Sequence, residues 1–128
     1  MTVNKAMSIL IVDDYSTMRR IVRNLLTQLG FTNLDEAANG KEAIEKLQEK
    51  QIDMIISDWN MEPMTGFDLL KHVRADAKTK DMPFILVTAE SKPENIIAAK
   101  QAGVSNYIVK PFSVDTLKSK IVSVIGAF

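Results

Sequence analysis

Cysteine is missing from this 128-residue chain. That excludes disulfides, thiolate metal sites and cysteine nucleophiles, and it fits a reducing compartment. An excess of charge of either sign is missing too. With 16 basic against 16 acidic side chains the formal net charge is zero. A chain that grips nucleic-acid phosphates usually carries a basic surplus, so nucleic acid is not expected as a partner. Long hydrophobic runs are also absent. The longest early apolar stretch, Ile9 to Val12, is far too short for a membrane span or a signal-peptide core. The chain is therefore expected in the cytoplasm, without membrane insertion. Histidine occurs once, as His72, inside a helical pattern, where it reads as a surface or half-buried helix residue rather than a catalyst.

What is present suits one compact domain. Hydrophobic residues make up 46% and charged residues 25%, ordinary proportions for a chain that buries a single core. The expectation is a monomeric domain over 1–128 with a loose arm at 1–6. The seven methionines are scattered and read as packing residues.

Short β-branched runs alternate with longer helical patterns. Ile9-Leu10-Ile11-Val12 reads as a strand buried on both faces. Met18, Ile21, Val22, Leu25, Leu26 and Leu29 then recur at spacings of three and four, one face of a helix that Gly30 stops. A weaker strand follows over Asn33 to Ala37, and Asn39 with Glu42 makes a capping-box pattern before the next helix. Met54 to Asp58 is the third strand, and Gly66 and Phe67 open a helix running to about Ala75. Phe84 to Thr88 is the fourth strand. Ser91 and Glu94 box a helix with Pro93 in its first turn and Gly103 at its end. Asn106 to Val109 is the fifth strand, and the last helix starts after Ser113. Five βα units predict an α/β fold with a five-stranded parallel sheet of order 2-1-3-4-5, the (βα)5 flavodoxin-like arrangement.

In such sheets ligands sit beyond the carboxyl ends of the strands, near the point where strand order reverses. Here those ends are Asp13 and Asp14 on the first strand, Asp58 on the third, Thr88 on the fourth and Lys110 after the fifth. Carboxylates crowded together repel, by roughly 4 kcal/mol per pair at 4 Å and an effective dielectric near 20. Lys110 supplies one positive charge, and a divalent ion would supply two more. Hard carboxylate oxygens with room for water suit Mg²⁺. One carboxylate can then act as a nucleophile towards phosphorus, a step needing mainly positioning and charge neutralisation. Asp58, alone at the tip of a central strand, is the expected acceptor. Asp13 and Asp14 would hold the metal, and the Thr88 hydroxyl could donate to the new phosphoryl group.

Each of these residues has a plainer reading. A single Asp at a strand end is most often a cap or turn residue, and a lone Thr or Lys-Pro says little. The combination at successive strand ends is what favours chemistry. Arg19, Arg20 and Arg23 read as a solvated face of the first helix. Trp59 should point away from the face of its neighbour Asp58. Tyr107 could be a core residue or a movable surface one.

The set Asp13-Asp14, Asp58, Thr88-Ala89 and Lys110-Pro111-Phe112 resembles the receiver domains of two-component response regulators. YSTMRRIVRNLL (15–26), SDWNM (57–61), TAE (88–90), ENIIAA (94–99) and VKPF (109–112) are similar to the chemotaxis members, and the similarity covers nearly the whole chain. The resemblance implies that Asp58 is phosphorylated by a histidine kinase. Asp13, Asp14, Asp58 and the backbone carbonyl of Asn60 would bind Mg²⁺, and Lys110 would contact the phosphoryl group. Thr88 and Tyr107 would form a switch pair. Asn60 and Glu90 would modulate dephosphorylation, where a phosphatase could also act. The output would be binding to the flagellar motor switch protein through a face including Ile96, Tyr107 and Lys120. Three positions depart from the family pattern: Glu62 stands where proline is common, Thr65 replaces a usual acidic residue, and Pro93 replaces a frequent lysine.

With all five βα units used by the receiver, the phosphorylated form is expected to act through its affinity for other proteins, not as a turnover enzyme. A phosphorelay or phosphate-sink receiver is the nearer alternative. An aspartyl-nucleophile phosphohydrolase is more distant, because such enzymes favour first-strand acids separated by one residue and here they are adjacent. A flavodoxin-like cofactor carrier is weaker still, since two acids after the first strand would repel a phosphate.

Overall fold

The computed structural model describes residues 5–89 and 92–126. Five strands and five helices alternate: β1 (Ser8–Val12), α1 (Ser16–Gln28), β2 (Asn33–Ala37), α2 (Gly40–Glu49), β3 (Met54–Asp58), α3 (Gly66–Ala75), β4 (Phe84–Thr88), α4 (Pro93–Gln101), β5 (Asn106–Val109) and α5 (Val114–Ile125). All strand pairs are parallel and the order is β2-β1-β3-β4-β5.

Strand alternation divides the core in two. Leu10, Val12, Ile55, Phe84 and Leu86 face Ala43 of α2, Leu69, Leu70 and Val73 of α3, and Ala99 of α4. Their neighbours Ile9, Ile11, Met54, Ile56, Ile85 and Val87 face Val22 and Leu26 of α1 and Leu117 and Ile121 of α5. The continuous apolar runs of β1, β3 and β4 are thus explained by burial on both faces. Each fully buried Leu or Ile contributes about 1.5–3 kcal/mol.

Local signals set the element ends. Asn39 Oδ1 accepts from the Glu42 amide at 2.9 Å and Ser113 Oγ from the Thr116 amide at 3.2 Å. Gly30 and Gly103, just past α1 and α4, have φ of 100° and 92°, the left-handed turn that glycine enters without a Cβ penalty. The cap expected at Ser91 is corrected. α4 opens at Pro93 behind Lys92, which offers no side-chain cap, and Ser91 lies outside the described residues. Of the arm expected at 1–6, Lys5 and Ala6 are described. Their carbonyls accept from the Thr32 amide at 3.4 Å and Asn33 Nδ2 at 3.3 Å, which ties this part to the start of β2. Among the described residues no helix is long and apolar enough to cross a membrane.

Candidate functional site

Strand order reverses between β1 and β3, whose register pairs Val12 with Ser57. Asp13 and Asp58 are the next residues in line, side by side at the sheet's rim. Asp13 extends β1 by donating its amide to the Ala37 carbonyl at 3.1 Å. Its Oδ1 accepts from the Tyr15 amide at 3.0 Å, an Asx turn that swings the chain into α1. Asp58 is the last residue of β3. Its successor Trp59 donates to the Val87 carbonyl at 2.8 Å, so Asp58 sits on a strand clamped to β4.

Asp13, Asp14 and Asp58 each present a carboxylate oxygen within 4.8 Å of the others, Asp13 and Asp58 buried and Asp14 exposed. The Lys110 ammonium reaches in from β5, 3.0 Å from Asp58 Oδ1 and 3.8 Å from Asp13 Oδ2. It is placed there by the Lys110 amide, which donates to the Thr88 carbonyl at 2.8 Å and extends the β4–β5 ladder by one residue. Burial raises the Asp13 carboxyl to about 6; the Tyr15 amide opposes this, Asp58 adds to it, Lys110 opposes it and Asp14 adds to it. Burial also raises Asp58, against the hydrogen bond and charge of Lys110 and with Asp14 adding. One ammonium therefore does not neutralise the three acids.

That deficit makes a divalent cation a good fit. The donor set is three hard carboxylate oxygens from two strand ends, and the Asp58 Oδ1 that meets Lys110 is wholly buried. Beside them Asp14, Asn60, Met61, Glu62 and Thr65 line an open cavity of about 380 Å³, room for the waters that Mg²⁺ retains.

The remaining expected residues fall as follows. Thr88 is buried at the end of β4 and pairs with Val109. Tyr107 pairs with Leu86, so it shares Thr88's face of the sheet; it is half-buried, and the Lys120 ammonium lies 4.8 Å from its ring centroid. Asn60 is exposed at the mouth of the cavity. Glu90 lies outside the described residues. On α4, Ile96 is half-buried and it is Ile97 that is 55% exposed. His72 is an exposed residue of α3 lining a separate groove against α2. Trp59 stacks on Phe67 with centroids 5.2 Å apart.

Three features escaped the sequence reading. A Cβ on Gly66 would collide with the Asp58 carbonyl oxygen, so the first residue of α3 must be glycine for the helix to pass this close to Asp58. Thr65, noted only as a departure, caps α3: its Oγ1 accepts from the Asp68 amide at 3.1 Å, and Asp68 Oδ2 accepts from the Thr65 amide at 3.3 Å. That T-x-x-D spacing was a signal available in the sequence. The solvated arginine face is also corrected. Arg20 is exposed, but Arg19 and Arg23 reach across to Glu36 on β2.

Residues 9–122 match the family described as the response regulator receiver domain. The chain is 56% identical over 118 residues to the chemotaxis protein CheY-3 of Vibrio cholerae serotype O1, covering 92% of this chain and 91% of that one. The structure of Vibrio cholerae CheY4 superposes with a TM-score of 0.86 at 38% identity, covering 93% of this chain and 99% of that one. The fold is shared, at 24% identity and a TM-score of 0.84, with the receiver domain of a Pseudomonas aeruginosa PAO1 sensor histidine kinase; 95% of this chain and 99% of that one are covered, and that protein holds magnesium in its active-site cleft. A rim of three acids and a lysine on a 2-1-3-4-5 parallel sheet and the match along its length have one reading: the chain belongs to the response regulator receiver domain family.

Proposed function

We propose that this chain is a chemotaxis response regulator whose Asp58 takes a phosphoryl group from the phosphohistidine of a kinase in a Mg²⁺-dependent reaction. The observation that carries this reading is the buried Asp58 carboxylate at the tip of β3, 3.0 Å from Lys110 and flanked by Asp13 and Asp14. The chemotaxis assignment rests on the similarity to CheY-3. Asp13, Asp14 and Asp58, with the Asn60 carbonyl, would hold the ion. When bound, magnesium neutralises the acids and stabilises charge on the transferring phosphoryl oxygens.

The chain's own part is positioning. Asp58, beside the Lys110 ammonium, offers a carboxylate oxygen to phosphorus. The bond from phosphorus to the kinase imidazole breaks as the aspartyl bond forms, and the imidazole leaves with the proton it takes up. Lys110 stays beside the acceptor and meets the incoming phosphoryl charge. Phosphorylation takes Asp58 from one negative charge to about two. Thr88, on the next strand end, donates its hydroxyl to the new group. Tyr107, on the same face, responds as a half-buried ring, and the surface of α4, β5 and α5, with Ile96, Tyr107 and Lys120, is where the flagellar motor switch protein reads the change. Asn60 and Glu90 modulate the attack of water that reverses the reaction, and the site works in the cytoplasm without steady turnover.

Incubation with magnesium and a small phosphodonor, followed by intact-mass measurement, tests the chemistry. Wild type should gain one phosphoryl group and Asp58→Asn none. A normal acid-labile phosphoprotein in Asp58→Asn would refute the assignment. Binding to a motor-switch peptide with and without a phosphoryl mimic tests the output, and equal binding in both states would favour a phosphate sink.

A further inference from the structure

The Asp13 carbonyl oxygen receives a bond from outside the sheet. Arg19 Nη1 donates to it at 2.7 Å, while Nε of the same guanidinium donates to Glu36 Oε1 at 3.0 Å. Glu36 is held from its other oxygen by Arg23 Nε at 2.8 Å, and Arg23 Nη2 reaches the Leu34 carbonyl at 3.3 Å. Two arginines one turn apart on α1 thus grip one carboxylate on the edge strand β2. Only Arg19 also reaches the rim. The Tyr15 position ahead of α1 supplies no side-chain cap, so besides the Asp13 amide bond to the Ala37 carbonyl it is Arg19 and the Asx bond to the Tyr15 amide that hold Asp13 in the β1–α1 turn.

We propose that Arg19, anchored by Glu36, is a positioning residue for the cation site: by holding the Asp13 carbonyl it fixes the turn that aims the Asp13 and Asp14 carboxylates at the ion. The inference rests on the magnesium reading above. A guanidinium suits the task because its planar fork serves both acceptors at once, whereas an ammonium is a single point. Groups that orient metal ligands typically govern affinity by 10–100-fold.

Charge and geometry make opposite predictions here. Arg19 is a cation near an acidic cluster, so if it acted through charge alone its removal would tighten Mg²⁺ binding. As a positioning residue its removal weakens binding. Arg19→Lys keeps the charge and loses the fork. Arg23→Ala loosens Glu36 but leaves the Asp13 bond in place.

Calorimetric titration with MgCl₂ on wild type, Arg19→Ala, Arg19→Lys and Arg23→Ala, with urea unfolding of each, tests this. The expected result is roughly tenfold weaker binding in both Arg19 variants and affinity within about twofold of wild type in Arg23→Ala. Unchanged or tighter binding in Arg19→Lys would overturn the inference. So would equal losses in the Arg19 and Arg23 variants, which would reduce the network to general support of the fold. Hydrogen exchange at the Tyr15 amide, measured without metal, gives an independent reading. It should quicken in Arg19→Lys and stay unchanged in Arg23→Ala, and unaltered exchange in Arg19→Lys would also overturn the proposal. Wild type that binds no Mg²⁺ would instead refute the magnesium reading, and the exchange experiment would still decide whether Arg19 holds the turn.

Discussion

Two groups of acids in the same sheet are treated in opposite ways. On the edge strand β2, Asp35 lies 3.1 Å from Lys50 and 3.6 Å from Lys46, and Glu36 is shared by Arg19 and Arg23. Burial pushes the Asp35 carboxyl up, but the Glu36 amide, Lys50 and Lys46 outweigh it and hold the group below the ordinary range. At the rim, Asp13, Asp14 and Asp58 share the one ammonium of Lys110, and Asp13 and Asp58 are pushed above it. Two acids answered by four cations, and three by one, teach that the chain can neutralise its carboxylates and leaves these three exposed to each other. Uncompensated charge at a strand-end cleft is a physical mark of a functional site.

The sharpest way to break the comparison is to remove the cation that meets the rim carboxylates. Lys110→Ala should cut the rate of Mg²⁺-dependent phosphorylation of Asp58 by about 100-fold or more, the scale of losing one electrostatic stabiliser, while leaving the fold intact by circular dichroism. A near-normal rate would mean that Lys110 only balances charge at rest.

Neutralising a rim acid should do what neutralising a paired acid cannot. Asp13→Asn should stabilise the metal-free protein by on the order of 2 kcal/mol, read by urea unfolding, and abolish the further stabilisation that Mg²⁺ confers. A less stable Asp13→Asn would show that its carboxylate is satisfied after all.

pH separates the two groups in the same currency. Asp13 titrates near 6 in the folded protein against 3.8 ordinarily, so between those values the folded state holds the extra proton. The strain of the ionised group is present in full above about pH 6 and vanishes as pH falls towards 4. Metal-free protein should therefore gain stability from this residue on mild acidification, and Mg²⁺ affinity should fall as pH drops through about 6. Asp35, with its lowered carboxyl, has the opposite sign: its contribution is present at neutral pH and lost only on strong acidification. Stability curves with and without saturating Mg²⁺ would expose both.

The smallest effect belongs to β2 itself. Asp35→Asn should cost about 0.5 kcal/mol, diminished by salt, because its lysines are partly exposed. Phosphorylation should be unaffected.

Much of this was legible in the chain. The branched runs at Ile9–Val12, Met54–Asp58 and Phe84–Thr88 name strands because β-branched residues and burial on both faces leave few alternatives. Strand ends follow from them, and with strand ends come Asp13, Asp14, Asp58, Thr88 and Lys110 as a set. The cap of α4 was misread because Ser91 and Glu94 offered a capping pattern one residue ahead of the true start at Pro93. The arginines of α1 were misread because helical periodicity gives a side chain's direction but not what stands opposite it.

The amino-acid order by itself determined the elements, their sequence and the gathering of three acids and a lysine at one rim, since propensity and periodicity act over a few neighbouring residues. Only the tertiary structure decided that Lys110 stands 3.0 Å from Asp58, that Gly66 must pass against the Asp58 carbonyl, and that Arg19 spans from β2 to Asp13. Lys110 with Asp58 and Arg19 with Glu36 join residues far apart along the chain, while Gly66 with Asp58 and Arg19 with Asp13 join a strand end to the helix that follows it. These contacts depend on side-chain reach and on how closely helices pack to the sheet, and no local pattern encodes either.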